Sequence, residues 1–343
     1  MLSSGFGGAE RYFVDLGNAL AKRGHDIQVI CHDNFSGLDK FDRSEITEIR
    51  TFTVLGWWDV YHGFLVRNAI RKFRPEIVHA HLARGAYIAG KGCRTLAAPV
   101  VAKTHNYVQL KYYRNVNHFI ATTEEQKSYL LESGIQEEQV SVIPNFSSMA
   151  TESIDEQPYG KRRLVQFAAC GRLVEKKGMH ILLQAFRKFL DTGLTAELHI
   201  GGDGPEANHL RALSGRLGLD EQVYFHGWVD NVDTFISRYD CMILPSLIEP
   251  FGIVVLEAMA KGKPLIATST DGPARILDQE CAYMIRPGDV QELCNAMCNI
   301  VRHPGEGLKK AQAAQLLFKN TYSEEQVVPQ LVSTYEKIIH ARR

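Results

Sequence analysis

Along the first 145 residues, short apolar runs alternate with longer segments of helical period. The runs "DIQVICH" (26–32), "TFTVLG" (51–56), "EIVHAHL" (76–82), "PVVAKTH" (99–105), "HFIATT" (118–123) and "VSVIPN" (140–145) are rich in β-branched residues, which suits strands. Between them lie helical patterns such as "ERYFVDLGNALAKRG" (10–24) and "TEEQKSYLLESG" (123–134), ended by Gly24 and Gly134 in the manner of C-caps. Strands joined by helices predict a parallel, doubly wound sheet. Such sheets usually open on a strand that feeds the first loop. This chain opens at "MLSSGFGGAER", already loop-like. Either "MLSS" stands in for that strand, or a short strand precedes Met1 and pairs on both edges in the middle of the sheet.

The stretch "SSMATESIDEQPYGKRR" (147–163) is polar and lacks apolar period, as an inter-domain linker does. A second alternation follows it: "LVQFAACG", "MHILLQAFRKFL", "AELHIGGDG", "EANHLRALSGRLG", "QVYFHGW", "VDTFISRY", "CMILPS", the apolar stretch 246–260, and "PLIATST". The chain closes on an amphipathic helical pattern with Pro329 in its early turns. These patterns predict an α/β protein of two Rossmann-like doubly wound domains: 1–150, a linker at 151–163, 164–322, and a closing helix at 323–343. The length of 343 residues agrees, because single cores stop growing near ~250 residues.

Charge changes this picture in one place. The formal net charge is zero, which argues against nucleic acid as a partner. Residues 61–118, however, hold ten Lys and Arg against the single acid Glu76. Aromatics interleave around them in "WWDVYHGF" and "KYYRNVNHF". That mixture suits either a solvated face or a peripheral contact with anionic membrane. Seven cysteines without a C-x-x-C spacing read as reduced thiols of a cytoplasmic protein, soluble or peripheral at the inner face of the membrane. No apolar run is long enough to span a bilayer.

The stretch "SLIEPFGIVVLEAMA" (246–260) carries the chemistry. From Ile253 onward only Glu257 is polar, so the pattern predicts a helix buried on all sides. A buried carboxylate is costly unless something pairs with it. A helix opening at Phe251 and Gly252 turns backbone N–H groups outward and forms an anion site. Arg172 and Lys177 of "GRLVEKKG" add positive charge, which suits a diphosphate. Glu249 stands just ahead of that site, and Glu257 lies about 9 Å along the helix at 1.5 Å per residue. Each carboxylate suits a pair of vicinal hydroxyls. A nucleoside-diphosphate sugar offers such pairs on both sides of its diphosphate: Glu257 would hold the ribose and Glu249 the sugar. Taken singly, Glu257 could pair with a lysine and Glu249 could be a solvated loop acid. The set reads together as E-x7-E with R-x4-K and the glycine turn "GGDGP", in which Gly202 lets backbone approach a ligand.

These residues resemble the retaining glycosyltransferases of the GT-B fold, in the group that includes lipopolysaccharide, sucrose-synthase-like and phosphatidylinositol mannosyl enzymes. "GGAERYFVDLGNALAKRGH" is similar to that group's first loop and helix, "GRLVEKKGMHILLQAF" to its phosphate-binding entry, and "PSLIEPFGIVVLEAMAKGKPLIAT" to its E-x7-E signature. The resemblance implies two domains facing a central cleft. It implies Arg172 and Lys177 on the diphosphate, Glu249 and the backbone of Phe251, Gly252 and Ile253 on the donor sugar, and Glu257 on the ribose. Trp228 and Val229 of "HGWV" would lie near the base. Gly7 and Gly8 would approach the donor phosphate, and His105 would stand near the sugar. His79 and His81 point to one face but show no third metal ligand, so they read as structural or cleft-lining. The implied reaction passes a sugar to a glycan or glycolipid hydroxyl with retention, using neither metal nor cofactor. Two rivals share the nucleotide site: a sugar-nucleotide epimerase of the same fold, and a non-catalytic sugar-nucleotide-binding protein.

Overall fold

A computed structural model describes residues 1–5, 7–54, 59–94, 96, 98–154 and 164–341. The chain divides into two compact units, Met1–Ser148 with Tyr322–Arg343, and Met149–Thr321. Most of the expected linker, the end of the expected strand 51–56 and the pair Trp57–Trp58 lie outside the described residues.

The first unit runs α1 (Gly8–Ala21), β1 (Gln28–His32), β2 (Glu48–Phe52), α2 (Val60–Phe73), β3 (Val78–His81), α3 (Leu82–Cys93), β4 (Val100–Thr104), β5 (His118–Ala121), α4 (Glu124–Glu132) and β6 (Val140–Val142). Helix α1 buries Tyr12, Leu16, Ala19 and Leu20, the i, i+4, i+7, i+8 stripe that a 3.6-residue period places on one face. All strand pairs are parallel, but they form two sheets, β1-β2 and β3-β4-β5-β6. β1 and β3 are not hydrogen-bonded to each other. "MLSS" is not a strand, although Met1 and Leu2 are buried beside β1.

The second unit runs β7 (Val165–Cys170), α5 (Met179–Asp191), β8 (Ala196–Gly201), α6 (Ala207–Arg216), β9 (Val223–Gly227), α7 (Val232–Arg238), β10 (Cys241–Leu244), α8 (Ile253–Ala260), β11 (Leu265–Thr268), α9 (Pro273–Ile276), β12 (Tyr283–Ile285), α10 (Val290–Arg302) and α11 (Pro304–Leu317). Its six parallel strands take the order β12-β11-β10-β7-β8-β9. Read from the other edge, that is the 3-2-1-4-5-6 order of a dinucleotide-type sheet. The core is built by β7 and β8 with α5 and α10. On α5, Met179, Leu182, Leu183, Phe186 and Phe189 share one buried face, and the Phe189 ring meets Phe167 of β7 edge-on. Helix α12 (Glu324–His340) returns to the first unit, where it packs on α1 and Tyr335 bonds His79 of β3. No helix among the described residues is long and apolar enough to cross a membrane.

Candidate active site

In a 3-2-1-4-5-6 sheet the chain leaves strand 1 toward one side and strand 4 toward the other. The crevice between their carboxyl ends is where ligands sit. Here those strands are β7 and β10. The loop after β7 carries Arg172 and Lys177, and the loop after β10 carries Glu249 and leads into α8.

Backbone contacts hold these loops together. Lys176 O accepts from Leu247 N at 2.8 Å and Ile248 N at 3.2 Å, which ties the β7 loop to the β10 loop. Gly178 stands at φ 67°, where a Cβ would fall 2.0 Å from Pro245 O. No side chain is tolerated there, because conformation and space both exclude it. The β8 loop joins in the same way. Leu173 N donates to Asp203 O at 2.8 Å, Gly202 N donates to Gly227 O at 2.6 Å, and a Cβ on Gly202 (φ 135°) would fall 1.9 Å from Gly171 O. Gly202 therefore lets three strand ends meet, a packing role beside the ligand approach expected of it.

The side chains follow from this frame. Lys177 Nζ donates to Glu249 Oε2, and Ser246 Oγ donates to the same oxygen at 3.4 Å. Glu249 is thus buried and ion-paired, not a solvated loop acid. Arg172 is exposed and makes no ion pair among the described residues. Helix α8 begins at Ile253, two residues later than expected, because Gly252 turns to φ 85° and serves as the cap. Phe251 is buried ahead of the helix; its Cα would lie 2.2 Å from a Cβ on Gly272. Its N–H is not part of the helix start, which belongs to Ile253 and Val254: the first bond within the turn is Val255 N to Gly252 O at 2.9 Å. Glu257 is 2% exposed inside α8. The lysine that ends this helix, Lys261, is engaged by Glu152 at 2.7 Å and Asp233 at 2.8 Å. Trp228 is exposed, with its indole N–H donating to Asp230 at 3.0 Å, and Val229 is half-buried against Gly201.

The first unit has its own cluster. Gly7 caps α1, its N–H donates to Glu10 at 3.2 Å, and Gly8 starts the helix. His105 follows β4 and shares a hydrogen bond of 3.2 Å with His81. His81 stacks in turn on His79, with ring centroids 4.4 Å apart. The parallel register sets His81 beside Lys103, so the period-2 positions 79, 81, 103 and 105 share one sheet face. Lys103 is fully buried. It donates to Ile143 O at 2.5 Å and Pro144 O at 3.1 Å, and lies 4.9 Å over the Tyr12 ring. Burial, with neighbouring positive charge, pushes the His105 imidazole down to about 3 and holds His79 and His81 well below the usual range. All three rings are neutral at pH 7, so His105 can share a hydrogen bond but carries no charge. Sequence reasoning missed Lys103, which it counted among surface cations. Its place on the His79–His105 period was the available signal. Arg84 is likewise not a free surface charge, since it donates to Leu2 O and Val54 O.

Two family models match the chain: "Glycosyltransferase Family 4" over residues 6–147 and "Glycosyl transferases group 1" over residues 165–303. The chain is a glycosyltransferase of this family. It is 26% identical to the lipopolysaccharide core biosynthesis glycosyltransferase LpsD of Rhizobium meliloti, over 98% of this chain and 97% of that protein. It is 27% identical to LpsE of the same organism, over 94% and 93%. Among solved structures, Anabaena Alr3699/HepE in complex with UDP-glucose superposes with a TM-score of 0.83 at 20% identity, covering 98% of both chains. These likenesses place the glycosyltransferase in the lipopolysaccharide and sucrose-synthase-like group and its fold in the GT-B class.

In this glycosyltransferase, the fold brings Arg172, Lys177, Gly202, Glu249, Gly252 and Ile253 to the carboxyl ends of β7, β8 and β10 in the second unit. Glu257 lies deeper in α8, and Trp228 and Val229 follow β9. Gly7, Gly8 and His105 belong to the first unit.

Proposed function

We propose that this glycosyltransferase transfers a sugar from a nucleoside-diphosphate donor to an acceptor hydroxyl with retention and without a metal ion, in the synthesis of lipopolysaccharide or another surface polysaccharide. The supporting observation is the convergence of Arg172, Lys177, Glu249 and the start of α8 where β7 and β10 diverge. Arg172, Lys177 and the N–H groups of Ile253 and Val254 stabilise the departing diphosphate, in place of a metal. Glu249 takes hydroxyls of the transferred sugar and Glu257 those of the ribose. Trp228 and Val229 flank the base, while Gly7 and Gly8 serve the phosphate and a neutral His105 serves the sugar. The acceptor oxygen forms its bond to the anomeric carbon on the face from which the diphosphate leaves. The bond to the phosphate oxygen breaks with its electron pair, and that phosphate group takes the acceptor proton.

The test is turnover of a nucleotide sugar, UDP-glucose first, with truncated lipopolysaccharide core oligosaccharides, followed by proton NMR. Retention predicts the donor's anomeric configuration in the product, and an inverted product overturns it. Turnover that collapses with a chelator overturns metal independence. We assign the peripheral membrane contact to α2, which exposes Tyr61 and Phe64 toward its start and the cations Arg71 and Lys72 in its last turn. Co-sedimentation with vesicles containing phosphatidylglycerol, unchanged by Tyr61→Ser with Phe64→Ser, would remove that assignment.

A further inference from the structure

A pocket of about 390 Å3 opens in the first unit where β4 ends. That volume falls in the lower part of the ~300–1,000 Å3 range of small-molecule sites. Its walls come from the segment 105–113 and from Leu82 and Ala83 at the start of α3. The segment is fixed by its neighbours. Tyr129 of α4 donates from its hydroxyl to Val108 O at 2.8 Å, and its ring meets that of Tyr107 edge-on, with centroids 5.3 Å apart. Leu110–Tyr112 form a turn of 3-10 helix that packs on α3, and Tyr113 is buried against Phe119 of β5. On the opposite wall β3 passes into α3 without a loop, which leaves Leu82 at φ 60°. A left-handed conformation is costly for a side chain of this bulk, and such strain gathers where a ligand is met.

The lining is aromatic with amide groups between. Asn106, Tyr107 and Gln109 are exposed, and each amide supplies both donors and an acceptor. His105 uses Nε2 on His81 at 3.2 Å, and its Nδ1 has no hydrogen-bond partner among the described residues. Aromatic faces beside amides suit a sugar ring, which is apolar on its C–H face and polar around its edge. Among the described residues no carboxylate lines this pocket. Positive charge stands at its rim instead. Lys111 Nζ lies 4.9 Å over the ring of Tyr112, which lines the pocket. Tyr112 meets Tyr87 of α3 edge-on, with centroids 6.5 Å apart, and Lys91 Nζ lies 4.6 Å over the Tyr87 ring. Both lysines are exposed, and neither forms an ion pair among the described residues. The aromatic pair therefore holds two uncompensated cations beside the pocket, a part of the basic segment 61–118 that α2 does not account for.

We propose that this pocket binds the accepting glycosyl unit, and that this unit carries an anionic group, carboxylate or phosphate, attracted by Lys111 and Lys91. Tyr107 and Tyr112 take the face of the ring, and Asn106, Gln109 and His105 Nδ1 take its hydroxyls. His105 is assigned above to the transferred sugar, so a hydroxyl held beside it lies where the acceptor oxygen is needed. The identification of the occupant as an acceptor rests on that reading; the preference of the pocket for an anion does not.

The test is saturation-transfer NMR titration of the full chain with matched methyl glycosides. Each is offered as the neutral hexoside, the hexuronoside and the hexoside 6-phosphate, in gluco, galacto and manno configuration. At least one anionic form should bind about three- to fivefold more tightly than its neutral partner, the scale of an exposed charge pair. The tighter of the two anionic forms identifies the group. The preference should shrink in about 0.5 M salt and vanish in the double variant Lys91→Glu with Lys111→Glu, while Tyr107→Ala with Asn106→Ala should weaken every form. Equal affinity for charged and neutral forms, or a preference that survives the lysine reversal, would overturn the anionic acceptor. Binding that is indifferent to Tyr107→Ala with Asn106→Ala would overturn its location. Nucleoside diphosphate titration of the same samples separates this proposal from the donor reading. Glycoside binding by a protein that takes no nucleoside diphosphate would support the pocket and refute the donor reading. Nucleotide binding with no glycoside bound in any form would refute the pocket alone.

Discussion

The Lys177–Glu249 pair joins two residues of the candidate site, and its two halves are unequally exposed. The Glu249 side chain is 9% exposed and the Lys177 side chain 23%. Removing the lysine by Lys177→Met leaves the carboxylate with Ser246 as its remaining hydrogen-bond donor among the described residues, at 3.4 Å. Breaking a fully buried pair costs about 3–5 kcal/mol. Discounted for the exposed lysine end, we expect about 2–3 kcal/mol. Glu249→Gln keeps an acceptor oxygen and leaves a lysine that can reach water, so it should cost about 1 kcal/mol or less. For a unit of this size, 1 kcal/mol shifts Tm by about 2–4 °C. Scanning calorimetry of the nucleotide-free protein should therefore show the second unit melting about 4–12 °C lower in Lys177→Met and within about 4 °C in Glu249→Gln. The double variant should recover part of the Lys177→Met loss, because no charge is then stranded. Equal losses, or a greater loss for Glu249→Gln, would refute the reasoning that the carboxylate is the buried partner.

Gly178→Ala should destabilise the second unit by about 2–4 kcal/mol in urea denaturation, because the new Cβ meets Pro245 O in a left-handed conformation. Turnover should fall with it, since Lys177 is the adjacent residue. Arg172→Ala should leave stability within about 0.5 kcal/mol, as the side chain is exposed and makes no ion pair among the described residues. Its kcat should drop by about 10- to 150-fold, the equivalent of ~1.5–3 kcal/mol on the departing diphosphate; a change confined to KM would argue against that role. His105 is held neutral by burial, with its folded value about 3 against 6.5 unperturbed. The unfolded chain therefore binds the extra proton, and stability present above pH 6.5 is lost as pH falls toward 3, by up to about 1.4 kcal/mol per pH unit. His105→Gln should flatten that slope in acid denaturation followed by circular dichroism, while an unchanged slope would mean that His105 is accessible to protons in the fold.

The alternation of strands and helices was legible wherever burial on both faces produced solid apolar runs, as in "PVVAKTH" and "CMILPS". It failed at β2, which is Glu48–Phe52 and not 51–56. That strand is half-exposed with polar residues at Glu48, Arg50 and Thr51, so its pattern lacks contrast. It passed over β12, only three residues long, and α11, whose buried positions Gly307, Ala311, Ala314 and Gln315 are small or polar. At the candidate site, residue types and spacing pointed to Arg172, Lys177, Glu249 and Glu257. They did not reveal that Lys177 and Glu249 pair, because that contact depends on the Lys176 carbonyl anchoring the β10 loop. The helix start was misplaced by two residues because Gly252 reads equally well as a first helical residue or a left-handed cap. Lys103 was hidden for a related reason: a lysine in a basic segment looks solvated until the sheet register places it beside His81.

The most direct measurement is calorimetric titration of the uridine, guanosine, adenosine and thymidine diphosphates into the protein and into Glu257→Ala. The account predicts that at least one nucleoside diphosphate binds, that Glu257→Ala weakens it at least about tenfold through the lost ribose hydrogen bonds, and that His105→Gln leaves it unchanged. Binding that is indifferent to Glu257→Ala, or no binding of any of the four, would contradict a nucleotide site in the second unit.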